Sequence, residues 1–275
     1  MLYSLKRKVL RQVSRLPGTR LLWSKVPIGS LETRVFLGVG AKPMYRFGIY
    51  SAAALAKLLG LPGISVIEFG VAGGQGLVAM EQAAQEVAQH FGIVVDVFGF
   101  DTGHGMPAPT DYRDLPHVWG EGFYTMDVER LRATLKEARL VLGDVEETIP
   151  SFLPAIKHPI GFVAFDLDYY SSTKNAFRVW EGLPDTRLPR VFCYFDDLVW
   201  PERAYHNEYL GELCAIREYN LDHAGMKLCP IHLLRHTQPH PAAWHDQTYV
   251  LHDFHHPLYC TNITPADPVF TQIPL

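Results

Sequence analysis

The sequence predicts an open, mostly parallel α/β sheet with helices on both faces, preceded by an N-terminal helical arm. Three observations predict it. From Tyr45 onward, short β-branched or aromatic runs alternate with Ala- and Leu-rich helical segments, the rhythm of a sheet built from crossover units. Two of those runs, 162–165 and 191–195, are continuously apolar instead of alternating, as befits strands covered on both faces. The first strand passes directly into a glycine-rich turn and a new helix, across residues 66–76.

Residues 1–27 carry seven basic side chains (Lys6, Arg7, Lys8, Arg11, Arg15, Arg20, Lys25) and no acidic one, with Leu2, Leu5, Val9, Val13 and Leu16 at helical spacing. This arm reads as a basic amphipathic helix packed on its own domain, or on a second copy in a homo-oligomer. A membrane-surface helix and an organellar transit peptide are its other readings, whereas no continuous apolar stretch follows to make a secretory signal. The expected organisation is an arm and helical cap over 1–44 and one α/β domain over 45–275. Within the domain the pattern predicts helix 51–59, stopped by Gly60 and Pro62, then strand 64–69, helix 77–90 and strand 94–100. Helix 128–138, strand 138–142, helix 148–155, strand 161–165, helix 173–180 and strand 190–195 follow. The last third, where nine of thirteen histidines lie between His206 and His256 among Pro239, Pro241 and Pro257, reads as late strands such as 248–251 joined by loops.

Composition excludes several classes. With 275 residues, 48% hydrophobic and 20% charged, the chain has material for a packed interior and too little charge for wholesale disorder. Its 25 Lys and Arg against 29 Asp and Glu leave a net charge of -4, so no global positive field exists to hold a nucleic acid. No apolar run reaches the roughly 18 to 20 residues that span a bilayer. Cys193, Cys214, Cys229 and Cys260 are widely spaced without a CxxC pair, which argues against a disulfide framework or thiolate zinc site. A soluble chain in the reducing cytoplasmic compartment is expected.

The turn Glu68-Phe69-Gly70-Val71-Ala72-Gly73-Gly74-Gln75-Gly76 exposes backbone amides at a helix start, where open α/β sheets bind nucleotide-like ligands. A tight turn without a ligand is the plain alternative. The second strand ends in Asp101, at the interval where a dinucleotide fold places a carboxylate on a ribose diol. The third ends in Leu142-Gly143-Asp144, an acid that serves either a ligand or the N-cap of the next helix. Asp166 and Asp168 lie two apart at a strand end, so extended backbone points both to one side. Asp196 and Asp197 end the next strand. If these strands are neighbours, their carboxylates converge and repel unless a cation joins them, and all-oxygen ligands favour Mg²⁺, with Mn²⁺ or Ca²⁺ behind. Helix capping by the same aspartates is the competing reading.

These stretches, with Phe98-Gly99-Phe100-Asp101-Thr102-Gly103, Leu142-Gly143-Asp144-Val145-Glu146, Phe165-Asp166-Leu167-Asp168-Tyr169-Tyr170 and Tyr194-Phe195-Asp196-Asp197 in order across about 45–220, carry a resemblance. The chain resembles the class I S-adenosylmethionine-dependent methyltransferases, and among them the macrocin-type O-methyltransferases of mycinamicin and novobiocin tailoring. The resemblance implies a Rossmann-like fold. It places Glu68 and Gly70 near the methionine end of S-adenosylmethionine, Asp101 at the ribose and Asp144 near the adenine, with Gly74 also among the cofactor-binding residues. It makes Asp166, Asp196 and Asp197 the ligands of Mg²⁺ (or Mn²⁺), which would chelate the hydroxyls of a small hydroxylated acceptor, a secondary metabolite or glycoside. Asp168 would be a supporting acid beside Asp166 in catalysis, and the two could exchange roles. The chain departs from the family at Leu198-Val199-Trp200-Pro201, and His206 is a candidate base beyond it.

An NAD(P)-dependent oxidoreductase would also use the glycine turn and Asp101, but it would not need Asp196-Asp197. A non-catalytic cofactor-binding scaffold acting through its basic arm is a third reading. The late histidines contain no HExxH or other closely paired set, so they are expected to be ordinary polar or core residues, not zinc ligands. Tyr169, Tyr170, Trp119 and Phe123 are expected in core packing or a lid.

Overall fold

The computed structural model describes residues 9–14, 16, 18–19, 23, 29–198 and 207–264. Most of the basic arm, the segment 199–206 with the candidate base His206, and residues 265–275 lie outside the described residues. The described parts of the arm pack on the chain itself. Leu10 and Trp23 lie against Phe36, Leu37 and Val39, and Arg11 donates to the carbonyl of Thr237 at 3.0 Å.

Helices α1 (Leu31–Leu37) and α2 (Pro43–Leu58) precede the sheet. Ser30 caps α1 by accepting from the Thr33 amide, and Gly38 (φ 60°) ends it in the left-handed conformation. The strands are β1 (Gly63–Phe69), β2 (Val94–Asp101), β3 (Arg139–Leu142), β4 (Ile160–Phe165), β5 (Arg187–Phe195), β6 (Met226–Pro230) and β7 (Thr248–Asp253). Between them lie α3 (Gln75–Phe91), α4 (Val128–Thr134), α5 (Val145–Phe152), α6 (Tyr170–Ala176), α7 (Gly211–Asp222) and α8 (Leu234–Thr237). The sheet order is β3-β2-β1-β4-β5-β7-β6, with β7 antiparallel to both β5 and β6. The open, mostly parallel architecture expected from the alternating pattern is therefore observed.

The order places β1 and β4 at the centre, where every residue of both strands is buried. This accounts for the unbroken apolar run of β4. The strand order reverses between β1 and β4, the position at which the carboxyl ends of strands open a crevice. The register Phe165↔Phe195 brings β4 and β5 to an end at the same level.

Two departures from the pattern have local causes. The helix expected over 128–138 stops at Thr134 because the amides of Lys136, Glu137 and Ala138 all donate to Oε1 of buried Glu81, at 2.9, 2.6 and 2.7 Å. The last third contains α7 as well as late strands. Its sequence GELCAIREYNLD is nearly balanced around the helix, so it gives no amphipathic signal. The histidines there do ordinary work: His245 and His256 are buried, and His256 Nε2 meets the Arg187 carbonyl at 3.1 Å. Tyr169, Tyr170 and Trp119 are buried as expected, whereas Phe123 is exposed.

Candidate active site

The ends of β1, β2, β4 and β5 and the loops that follow them enclose a cavity of about 430 Å³. On one side lies the turn between β1 and α3. Gly70 (φ 83°) passes so close to β4 that a Cβ on it would sit 1.8 Å from the Asp166 carbonyl oxygen, so only glycine fits. Gly74 (φ 81°) is the N-cap of α3, and Ala72 also takes a left-handed backbone, at φ 46°. Asp101 stabilises that conformation. Its Oδ2 accepts from the amides of Val71 and Ala72 at 2.9 and 2.8 Å, and its Oδ1 from Gly103 at 2.7 Å. The side chain therefore braces the turn while lining the cavity, and carboxylate lone pairs remain for a ligand hydroxyl. Asp144 caps α5 through the Glu146 amide at 2.8 Å, as its N-cap reading expects, and it also lines the cavity.

Glu68 at the end of β1 is 1% exposed. Its Oε1 accepts from the Tyr45 hydroxyl at 2.6 Å, while Oε2 is buried without a hydrogen-bond partner. Burial pushes its carboxyl up to about 8, against the Tyr45 hydrogen bond that lowers it. An orphaned carboxylate oxygen at a cavity wall is ready for a cationic donor.

On the other side, one oxygen from each of Asp166, Asp196 and Asp197 lies within 4.8 Å of the other two. This is the set expected from the sequence, and it arises because β4 and β5 are parallel neighbours ending in register. The Tyr194 hydroxyl donates to Asp196 Oδ1 at 2.7 Å, and the Gln247 side chain, just before β7, donates to the Asp196 carbonyl. Burial first, then the charges of Asp196 and Asp197, hold the Asp166 carboxyl well above the usual range. Asp197 is raised by burial and by Asp168 and Asp196. Asp168 is raised by burial and by Asp166, and its backbone stands at φ 58° with its amide donating to Asp197 Oδ2 at 2.9 Å.

Two side chains at this site carry no sequence motif. Glu212 on α7 accepts from the Asp197 amide at 3.1 Å through Oε2 and has a buried, unpartnered Oε1. Lys42 stands 4.0 Å from Asp166 Oδ2. Neither was legible, since one sits on a helix without periodicity and the other in a loop. The loop after β2 closes the front of the cavity with Thr102, Met106 and Pro107. Pairing of Met106 with Phe123 and Gly122, at 2.8 and 2.9 Å, presents Tyr124 at the cavity wall on a left-handed backbone, φ 58°.

No protein-family model and no curated protein sequence matches the chain. Among solved structures, it is similar to CalS11, a calicheamicin methyltransferase, at 22% identity over 90% of each chain with a TM-score of 0.50. It is likewise similar to the O-methyltransferase NovP at 15% identity, over 90% of this chain and 98% of NovP, again with a TM-score of 0.50. Identities this low speak to backbone architecture and leave chemistry to the site itself. No helix among the described residues is long and apolar enough to cross a membrane. The sheet order, the crevice at its switch point and these two likenesses lead to one conclusion: the chain has the Rossmann-like methyltransferase fold.

Proposed function

We propose that the chain is an S-adenosylmethionine-dependent, Mg-assisted O-methyltransferase acting on a hydroxyl of a small secondary metabolite or glycoside. One observation carries the reading: three converging carboxylates, Asp166, Asp196 and Asp197, share a cavity wall with the glycine turn 70–76. The donor set fits a hard divalent ion. It consists of oxygens alone, partly withdrawn from water, and burial first, then neighbouring carboxylate charges, raise Asp166 and Asp197. Asp166, Asp196 and Asp197 would hold Mg²⁺ or Mn²⁺. The residues also fit the organic cofactor. The orphaned Glu68 Oε2 suits an ammonium group, Gly70 and Gly74 leave the turn free of side chains, Asp101 suits a ribose diol, and Asp144 stands at the remaining end of the cavity.

When bound, the sulfonium supplies an electrophilic methyl group, and the divalent ion lowers the pKa of an acceptor hydroxyl beside it. The chain's own contribution is alignment and proton handling. Asp166 and Asp168 line the cavity and would flank the acceptor hydroxyl, and Asp168, raised by burial and by Asp166, would take the hydroxyl proton on its carboxylate. Met106, Pro107 and Tyr124 reduce water access from the front. The double variant Asp196→Asn, Asp197→Asn tests the reading. Methyl transfer to a panel of hydroxylated acceptors should vanish, while S-adenosylhomocysteine affinity, measured in chelator for both proteins, stays near wild type. Full turnover of that variant, or of the wild type in excess chelator, overturns the metal role.

A further inference from the structure

The loop before α2 carries a lysine that neither the acidic cluster nor the glycine turn requires. Lys42 stands at φ 42° and ψ 65°, a left-handed conformation unfavourable for a residue with a side chain, and it precedes Pro43, which restricts it further. Its surroundings over-determine that backbone. Buried Arg46 donates from Nη1 to the Val39 carbonyl at 2.9 Å and from Nε to Glu86 at 3.2 Å. Gly40 (φ 98°) lies so close that a Cβ would be 2.4 Å from Arg46 Nη1. Backbone strain held this firmly is found where a side chain must be aimed. The ammonium is aimed into the cavity. Nζ lies 4.0 Å from Asp166 Oδ2 and 5.3 Å from the centre of the Tyr45 ring, whose hydroxyl is bound to Glu68. Among the described residues lining the cavity, Lys42 is the single basic side chain, against Glu68, Asp101, Asp144, Asp166, Asp168, Asp196 and Asp197.

We propose that Lys42 is the receptor for the carboxylate of the cofactor's amino-acid end, and that it holds Asp166 in reserve until that carboxylate arrives. The inference rests on the cofactor reading above. A zwitterionic amino-acid end needs an anion for its ammonium and a cation for its carboxylate. Glu68 with its unpartnered Oε2 meets the first need, and Lys42, which shares Tyr45 as a neighbour, meets the second. Before the cofactor enters, the ammonium offsets the charge of Asp166 and disfavours a divalent ion there. Once the ligand carboxylate takes over as its partner, Asp166 is released to the ion. Cofactor and metal then bind with positive coupling, and the coupling must be reciprocal.

Titration calorimetry on the full chain separates the outcomes, with S-adenosylhomocysteine, 5′-methylthioadenosine (which lacks the amino-acid end) and MnCl₂ as probes. For Lys42→Met, S-adenosylhomocysteine affinity should fall about tenfold or more while methylthioadenosine affinity holds within about twofold. Mn²⁺ alone should bind this variant more tightly than wild type. Saturating S-adenosylhomocysteine should tighten Mn²⁺ binding about fivefold or more in wild type and leave it unchanged in the variant. Lys42→Arg, which keeps the charge, should retain S-adenosylhomocysteine affinity within about threefold of wild type. Equal losses for both nucleosides, no loss for either, or a loss in Lys42→Arg as large as in Lys42→Met overturns the assignment. Failure of wild-type protein to bind S-adenosylhomocysteine overturns the cofactor reading instead.

Discussion

Replacing a metal ligand usually weakens a protein, yet Asp196→Asn should make this one more stable when no divalent ion is present. Two unit charges within 4.8 Å of each other in a medium of effective dielectric about 20 repel by about 3.5 kcal/mol or more while both are ionised. Asp166 and Asp197 relieve part of this by binding protons more readily, as their raised carboxyls show. Solvent relieves more, since the Asp166 side chain is 29% exposed. Removing one charge should therefore return about 1 kcal/mol, or about 2–4 °C in melting temperature for a chain of this size. Asparagine is the right replacement because its Oδ1 can still accept the Tyr194 hydroxyl that Asp196 accepts at 2.7 Å. The assay is a thermal melt at pH 7.5, in chelator and then in excess MgCl₂ or MnCl₂. In chelator the variant should melt above wild type. With the ion at a hundred times its Kd, wild type should gain about 2.7 kcal/mol and the variant little. A variant that melts lower in chelator, or gains as much from the ion as wild type, refutes the argument that these three carboxylates form a charge cluster waiting for a cation.

Gly70→Ala should yield little folded protein, because its Cβ would meet the Asp166 carbonyl at 1.8 Å on a backbone of φ 83°, whereas Gly73→Ala, with nothing within 4 Å, should melt within about 1 °C of wild type. Circular dichroism melts of the two variants check this. His245 is buried with Nδ1 accepting from the Ala242 amide at 3.1 Å, and burial followed by Arg235 lowers its pKa to about 4. The folded state thus resists a proton that the unfolded chain accepts near pH 6.5. The penalty is absent above that pH, grows as pH falls toward 4, and is constant below it. Urea unfolding at pH 7.5 and 4.5 should show wild type losing about 1–3 kcal/mol relative to His245→Asn, and parallel losses would contradict the assignment.

How much could be read from the chain alone follows from where each signal lives. The three clustered aspartates were legible because each follows an apolar run that can only be a buried strand, and strand ends in a parallel sheet collect at one rim. Adjacency of β4 and β5 was the one assumption, and the register Phe165↔Phe195 supplies it. The braced form of Asp101 was half-legible: its position was clear, but the three amides it accepts depend on left-handed turns at Gly70 and Ala72 that no local pattern announces. Lys42, Glu212 and the early end of α4 were illegible for a shared reason. Each is decided by a partner far along the chain, Asp166, Asp197 and Glu81 respectively, and none is decided by spacing within its own segment.

The reversed strand β7 has a consequence for the order in which the molecule can be completed. Asp166, Asp196 and Asp197 all precede β6 and β7 in the chain, yet the side chain that grips the Asp196 carbonyl belongs to Gln247, and Phe195 gives its own amide to the Gln247 carbonyl at 3.0 Å. A nascent chain halted between β5 and β7 therefore owns every acidic group of the cluster without the brace that sets their spacing. Maturation of the site is thus a late event in synthesis, tied to the arrival of a hairpin that contributes none of the carboxylates.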